Sequence, residues 1–278
     1  LLLLVEVRSG EEAMDHRGTK QVKWWDLHRD WEAGEGEVIE EITLTIYLNG
    51  RELVSLMGTP LNQDWLAVGF LKSEGIISDR DEILDLKVTR DGCCVDVWLS
   101  HGHQLPVRRI FTSGCGGGLT FEDPAQEIEP FPVDAGTTPE QLLEAFNQLQ
   151  KKDSLYARAR GVHAAGLLDL REGNVIAAAE DIGRHNAIDK LWGACLLQDV
   201  PTQNQGLLTT GRISSEMLRK GALMGCPLIA SRSSPTSLAA EMAEAWQITL
   251  IGYARQGQLR VYSYPERLGY KADMPDRT

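Results

Sequence analysis

Gly206-Leu-Leu-Thr-Thr-Gly-Arg-Ile-Ser-Ser215 and Pro227-Leu-Ile-Ala-Ser-Arg-Ser-Ser-Pro-Thr-Ser237 share one grammar. Each starts with a short apolar run, breaks at glycine or serine beside an arginine, and enters a helix-forming stretch, Ser214–Met224 in one case and Pro235–Trp246 in the other. Apolar runs separated by helices of that length pair in parallel through crossover connections, and runs without polar alternation are covered on both faces. Downstream lies a third run, Ile248–Ala254, which returns through Gln256-Gly257 into Leu259–Tyr262. Upstream, Gly166–Leu170 and Val175–Glu180 read as a hairpin, followed by a helix over His185–Gln198 with Ile188, Leu191, Trp192 and Cys195 on one face. The alternation predicts an α/β domain around a largely parallel, doubly covered sheet.

The first half of the chain follows a different pattern. Ile42, Leu44, Ile46 and Leu48 alternate with Thr43, Thr45 and Tyr47, and Asn49-Gly50 turns the chain into Glu52–Met57, a strong hairpin signal. Asn62 to Glu74 reads as a helix closed by Gly75, and Ile83–Val88 and Cys93–Leu99 as further strands. These make a smaller α+β domain over 38–135 that ends in the loop around Cys115. The acidic, proline-bearing connection from Glu122 to Gly136 is the expected boundary, and 136–278 the larger domain. Thr138-Pro139 opens its first helix with a cap and a proline at the first position, and Leu142, Leu143, Phe146 and Leu149 give it one apolar face. Residues 1–37, with Trp24-Trp25 and Trp31 among charges, read as an irregular arm whose tryptophans dock on their own domain.

With 278 residues, 42% of them hydrophobic, the chain has material for a sizeable core. A net charge of −12 argues against non-specific contact with nucleic acid or an anionic membrane. Five cysteines without framework spacing argue for a reducing, cytoplasmic setting rather than a disulfide scaffold. The apolar start, Leu1 to Leu4, is too short for an export signal or a span, and no other window reaches spanning length, so a soluble protein is expected, with Met14 a candidate native start.

Cys115 lies in Phe111-Thr-Ser-Gly-Cys-Gly-Gly-Gly-Leu119, a thiol with glycine on both sides. So many glycines are costly to order, which favours a reactive sulfur on a mobile loop over a structural turn. Arg108-Arg109, just upstream, would favour the thiolate. Asp181-Ile-Gly-Arg-His-Asn-Ala-Ile-Asp189 sits between a strand end and a helix start, where the carboxyl edge of a parallel sheet meets ligands. There Arg184 suits a phosphate or a base edge, with Asp181 and Asp189 orienting Arg184 and His185. A plain helix cap through Asn186 or Asp189 is the alternative. The turns at Gly211-Arg212 and Ser231–Ser237, which includes Ser234, open helices whose N–H groups suit an anionic ligand, although neither is a Walker or dinucleotide loop. Cys195 and Cys226 read as core, and Cys93-Cys94 point to opposite faces of a strand. His163 has two readings, catalytic or buried and hydrogen-bonded; His101 and His103 make at most a metal pair without further ligands, and no metal site is assigned.

Together these segments resemble the formate dehydrogenase accessory sulfurtransferase family, FdhD, from about Glu40 to Leu268. The pieces that carry the resemblance are Leu44–Arg51, Leu66-Ala-Val-Gly-Phe-Leu71 with Ser73–Ile77, the Thr-Ser-Gly-Cys loop, Gly161-Val-His-Ala-Ala165, Glu180–Ala187, Thr210-Gly-Arg212, Ser233-Ser-Pro235 and Val261-Tyr262. The resemblance implies a cytoplasmic, homodimeric enzyme that takes persulfide sulfur from a cysteine desulfurase. It delivers the sulfur to the molybdenum cofactor in its bis-molybdopterin guanine dinucleotide form, for formate dehydrogenase, with no cofactor permanently bound. By the same resemblance Cys115 carries the persulfide, and Tyr253, Ala254, Arg255, Gln256, Gly257 and Gln258 form the cofactor-binding stretch, assisted by Arg184, His185, Gly211, Arg212 and Ser234. The larger domain is expected to be cytidine-deaminase-like, three layers around a mixed sheet. One departure stands out: the best-known members carry Cys-x-x-Cys in the loop, and here Gly118 replaces the second cysteine. A single thiol still accepts and donates sulfur by nucleophilic attack, without a resolving partner.

Three rival functions are weighed. A zinc deaminase needs His-x-Glu and Pro-Cys-x-x-Cys, but Ala-Ala follows His163 and no second cysteine follows Cys226-Pro227. A cysteine hydrolase would use Cys115 with His185 or His163 as base. A non-catalytic chaperone would only bind the molybdenum cofactor, independently of Cys115.

Overall fold

A computed structural model describes residues 18–89, 91–102, 110–111, 119–120, 128–133, 136–149 and 154–271. The chain forms two compact units, one of residues 1–122, 150–163 and 179–199 and the other of residues 123–149, 164–178 and 200–278.

The first unit begins with β1 (Thr19–Leu27) and β2 (Trp31–Ile39), paired antiparallel as a two-stranded ribbon. This differs from the irregular arm expected over 1–37. The ribbon is largely exposed on both faces, so its strands show none of the apolar alternation that reveals a half-buried sheet. Trp24 lies over Gly34 and Gly36 across the ribbon, where an added Cβ would come within 2.4 Å and 2.8 Å of the indole. Trp25 and Trp31 are 69% and 66% exposed, so they do not dock as expected.

β3 (Ile42–Leu48), β4 (Arg51–Gly58), α1 (Gln63–Ser73), β5 (Ile83–Val88) and β6 (Cys94–Leu99) follow the sequence pattern closely. Asn49 and Gly50 both take positive φ, 50° and 74°, as the tight hairpin turn requires. The sheet order is β4-β3-β6-β5. Leu44, Ile46 and Leu48 pack with Val95 and Val97 of the sheet and with Leu66, Phe70 and Leu71 of α1. β7 (Ile110–Phe111) and β8 (Leu119–Thr120) form a short antiparallel pair. Cys115, Arg108, Arg109, His103 and Gly118 lie outside the described residues.

α2 (Pro139–Gln148) opens the second unit's helical layer, with Thr138 and Gln141 forming a reciprocal capping box. α3 (Leu155–Ala159) belongs to the first unit, and the chain crosses between units along β9 (His163–Leu168) and β10 (Val175–Asp181). α4 (Arg184–Leu197) returns to the first unit. It packs on α1 so closely that a Cβ at Gly69 would sit 1.7 Å from the Asp189 carbonyl oxygen, and one at Gly193 2.0 Å from that of Trp65. Only glycine allows that backbone approach. The division at 135/136 expected from sequence therefore gives way to a shared arrangement. The helix carrying the Asp181–Asp189 motif is bound to the N-terminal helix, a contact between segments far apart in the chain that local composition does not reveal.

The remaining elements are β11 (Gly206–Thr209), α5 (Ser215–Leu223), β12 (Leu228–Ser231), α6 (Ser237–Ala245), β13 (Thr249–Arg255) and β14 (Gln258–Val261). They lie close to the ranges expected. The sheet order is β10-β9-β11-β12-β13-β14. β11, β12 and β13 are parallel, whereas β9 on β11 and β14 on β13 are antiparallel. The fold is mixed α/β; the largely parallel sheet expected from the alternation holds only for the central strands. Leu142 and Phe146 of α2 and Leu149 just beyond its end pack with Leu168, Leu208 and Ile251 of this sheet, while Leu143 stays half-buried.

Candidate functional site

The Asp181 motif forms a packed corner of the first unit. Asp181 ends β10 with its side chain fully buried. One carboxylate oxygen accepts from the Gly183 amide at 2.9 Å and the Asn186 side chain at 3.0 Å. The other accepts from the Thr59 amide at 3.0 Å and the Thr59 hydroxyl at 3.1 Å, and pairs with the Lys190 ammonium at 2.7 Å. Lys190 also donates to Thr59 Oγ1 at 2.7 Å, and Asn186 reaches the Met57 carbonyl at 2.7 Å. Gly58, between these partners, would bring a Cβ to 3.2 Å from Asp181. Burial lowers the Lys190 ammonium from its ordinary value, against the pull of Asp181. Pairing of that quality is what makes a buried charge tolerable.

Asp181 thus anchors the turn and Lys190. α4 starts at Gly183, with no side chain capping it, so a simple Asn186 or Asp189 cap is not what the motif builds. Arg184 and Asp189 are buried at 9% and 2% exposure, and His185 is half-buried. His163, at the start of β9, is driven toward its neutral form by burial first and then by the charges of Arg184 and His185. Glu180 accepts from the Leu155 and Tyr156 amides and so caps α3, while burial raises its carboxyl. Lys190 and Thr59 escaped the sequence reading. The signal for Lys190 was present: a charged pair, Asp189-Lys190, inside an apolar helix stretch.

The second unit offers an open corner at the carboxyl ends of β11, β12 and β13. Thr209 and Ser231 are buried and hold the loops: Thr209 Oγ1 accepts from the Gly211 amide at 3.3 Å, and Ser231 donates to the Gly211 carbonyl at 2.5 Å. The Ile213 amide donates to the Ser234 carbonyl, and the Tyr253 amide to the Ser233 carbonyl. Ser214 and Thr236 cap α5 and α6. Arg212, Arg255, Gln256, Gly257, Gln258 and Arg260 are exposed, Ser234 and Tyr253 half-buried, and Gly211 and Ala254 buried. Tyr253 takes φ 54° at an irregularity in the β13–β14 pairing, and the Arg260 and Arg255 guanidinium groups stack over its ring at 4.7 Å and 5.9 Å. The structure thus gathers Gly211, Arg212, Ser234 and the 253–258 stretch in one unit, and Arg184, His185 and His163 in the other.

Four cysteines are described, all free thiols. Cys195 and Cys226 are buried as expected, and burial raises the Cys195 thiol to about 12. The Cys94 thiol is raised by burial and by Asp91. His101 pairs with Glu82 at 2.6 Å, and no group of three metal-ligating side chains converges among the described residues. Among the same residues no helix is long and apolar enough to cross a membrane.

Comparison with known proteins agrees with these motifs. The sulfur carrier protein FdhD of Bacillus subtilis is 36% identical over 240 residues, 84% of this chain and 91% of that protein. The protein of the same name from Staphylococcus aureus (strain MRSA252) is 34% identical over 238 residues, 84% of this chain and 89% of that one. A crystal structure of a formate dehydrogenase accessory protein from Desulfotalea psychrophila superposes with a TM-score of 0.76 at 27% identity, over 90% of this chain and 99% of that one. A model of the FdhD/NarQ family matches residues 39–269, most of the chain, and the protein therefore belongs to the FdhD/NarQ family.

Proposed function

We propose that this protein is a sulfur carrier serving formate dehydrogenase, in which Cys115 accepts sulfur from a cysteine desulfurase and passes it to the bis-molybdopterin guanine dinucleotide form of the molybdenum cofactor. The observation that carries the reading is the match, along 91% of its length, to a relative named as a sulfur carrier protein. The thiols are consistent with it: Cys195 and Cys226 are buried in the core, Cys94 is disfavoured as a thiolate, and the Cys93 thiol donates to the Asp91 carbonyl at 3.5 Å, whereas Cys115 lies in a glycine-rich loop. In the loading step the Cys115 thiolate attacks the outer sulfur of the donor persulfide. A new sulfur–sulfur bond forms at Cys115, the donor's own bond breaks, and the donor cysteine leaves as thiolate. The recipient's guanine and phosphate groups need cations and planar surfaces. Arg212 and the Tyr253–Gln258 stretch supply these in one unit, Arg184 and His185 in the other. A cytoplasmic homodimer and a cytidine-deaminase-like second unit belong to the same proposal, the latter supported by the mixed six-stranded sheet.

The absence of a second loop cysteine, with Gly118 in its place, keeps a cofactor-binding chaperone as the second reading. Incubation with a cysteine desulfurase and cysteine, followed by mass spectrometry without reductant, separates the two. The carrier gains one sulfur on the Cys115 peptide, and Cys115→Ala does not. A competent donor that leaves Cys115 unmodified establishes the chaperone.

A further inference from the structure

We infer that Lys190 is a positioning residue for the ligand-contacting turn: with Asp181 and Thr59 it fixes the start of α4, and with it Arg184 and His185, in a single register. The inference rests on the reading that those two residues contact the guanine dinucleotide. Three pieces of chain meet at this ammonium, the end of β10 through Asp181, α4 through Lys190 itself, and the β4–α1 connection through Thr59, while the other oxygen of Asp181 holds the turn through the Gly183 amide. Lys190 and Asp181 have no exposed side-chain surface.

Stability alone gives no reason for such a pair. Desolvating two charges offsets most of their attraction, and replacing a buried ion pair with apolar side chains of similar volume is often neutral or stabilising. Geometry is what an ion pair adds, since an ammonium sharing a carboxylate and a hydroxyl tolerates one arrangement. The turn needs that help, because Gly183 at the helix start has no side chain to accept the first amides. Asp181 takes the Gly183 amide instead, and Lys190, nearly two turns along the helix, holds Asp181 in place. The result is a preorganised Arg184–His185 pair that need not be ordered when ligand arrives.

The test compares wild type, Lys190→Met and the double variant Asp181→Asn/Lys190→Met for urea midpoint, sulfur loading on Cys115 and binding of guanosine diphosphate. Lys190→Met alone leaves a buried carboxylate unpaired and lowers the midpoint sharply. The double variant recovers the midpoint and loads sulfur at the wild-type rate, yet binds guanosine diphosphate at least ten-fold more weakly. Thr59→Val, which keeps the ion pair, serves where the double variant does not fold, and weakens the nucleotide a few-fold with loading intact. Wild-type nucleotide affinity in either folded variant overturns the inference, as does a wild-type protein that binds no guanosine diphosphate. Failure of the carrier reading registers separately, as wild-type protein that gains no sulfur.

Discussion

At the end of β10 the polar side chains of the turn are spent on one another: Asp181 binds Lys190, Thr59, Asn186 and the Gly183 amide, all within the first unit. At the ends of β11, β12 and β13 the buried threonine and serine hold the loops through the backbone, while Arg212, Arg255 and Arg260 remain exposed. Both corners are written as strand, small-residue turn, arginine and helix. What separates them is packing. Helix α4 is pressed against α1 at two glycines, so charges there must be paired internally. The second corner has no such lid among the described residues of its own unit, and its arginines stay available. A strand–turn–arginine motif is thus either a lock or a platform, according to what covers it.

The largest expected effect breaks the lock. Gly69→Ala drives a methyl group into the Asp189 carbonyl at 1.7 Å, against backbone that cannot swing away. A loss of roughly 3 kcal/mol, the upper end for overpacking, is expected in urea denaturation, with amide exchange rising first in α1 and α4. An unchanged midpoint would mean that the two helices do not pack as described. A smaller loss, about 1 kcal/mol, is expected in the second unit for Thr138→Ala, which removes one half of the α2 capping box, with amide exchange rising at the start of that helix.

The platform is sharpened by a change of another kind. Arg260→Ala removes the cation stacked at 4.7 Å on Tyr253 while touching no buried group, so the urea midpoint is expected to move by less than about 0.5 kcal/mol. On the proposed cofactor-binding reading, guanosine diphosphate affinity should fall about three- to ten-fold, by loss of a cation that holds the Tyr253 ring and carries positive charge at that corner. A large stability loss with unchanged affinity would make Tyr253 and Arg260 part of the scaffold instead.

Much of this was legible in the chain. The Ile42–Leu48 alternation and Asn49-Gly50 gave one hairpin, and Thr138-Pro139 and the Gly206 and Pro227 runs gave the helices and central strands, because each carries a local signal. Three things were hidden, each for a physical reason. The Trp24–Trp31 ribbon is exposed on both faces and has no apolar period. The antiparallel placement of β9 beside β11 depends on register with a strand far along the chain, which composition does not encode. The partner of Lys190 lies in a different segment, with Thr59 some 131 residues away. The arginine-bearing turns at Arg184 and Arg212 were readable from motif and the Tyr253–Gln258 stretch came from the family resemblance alone, whereas the ion pair beneath Arg184 was not legible.

The smallest expected effects are in pH dependence, and they test the packed corner from a second side. His163 lies beside that corner, where burial and then the Arg184 and His185 charges hold it below its ordinary value of 6.5. As pH falls through 6.5 the unfolded chain takes up a proton that the folded chain refuses, so this residue costs stability on the acid side. His101, exposed and hydrogen-bonded to Glu82, is shifted the other way, above 6.5, by Glu82 first and then by the Gly102 carbonyl. Its contribution is whole below 6.5 and is lost as pH rises through the folded value. Urea midpoints of His163→Gln and His101→Asn over roughly pH 5 to 8 should therefore flatten opposite limbs of the profile. If His163→Gln leaves the acid limb unchanged, the corner is not closed enough to disfavour a charge, and the distinction between lock and platform falls with it.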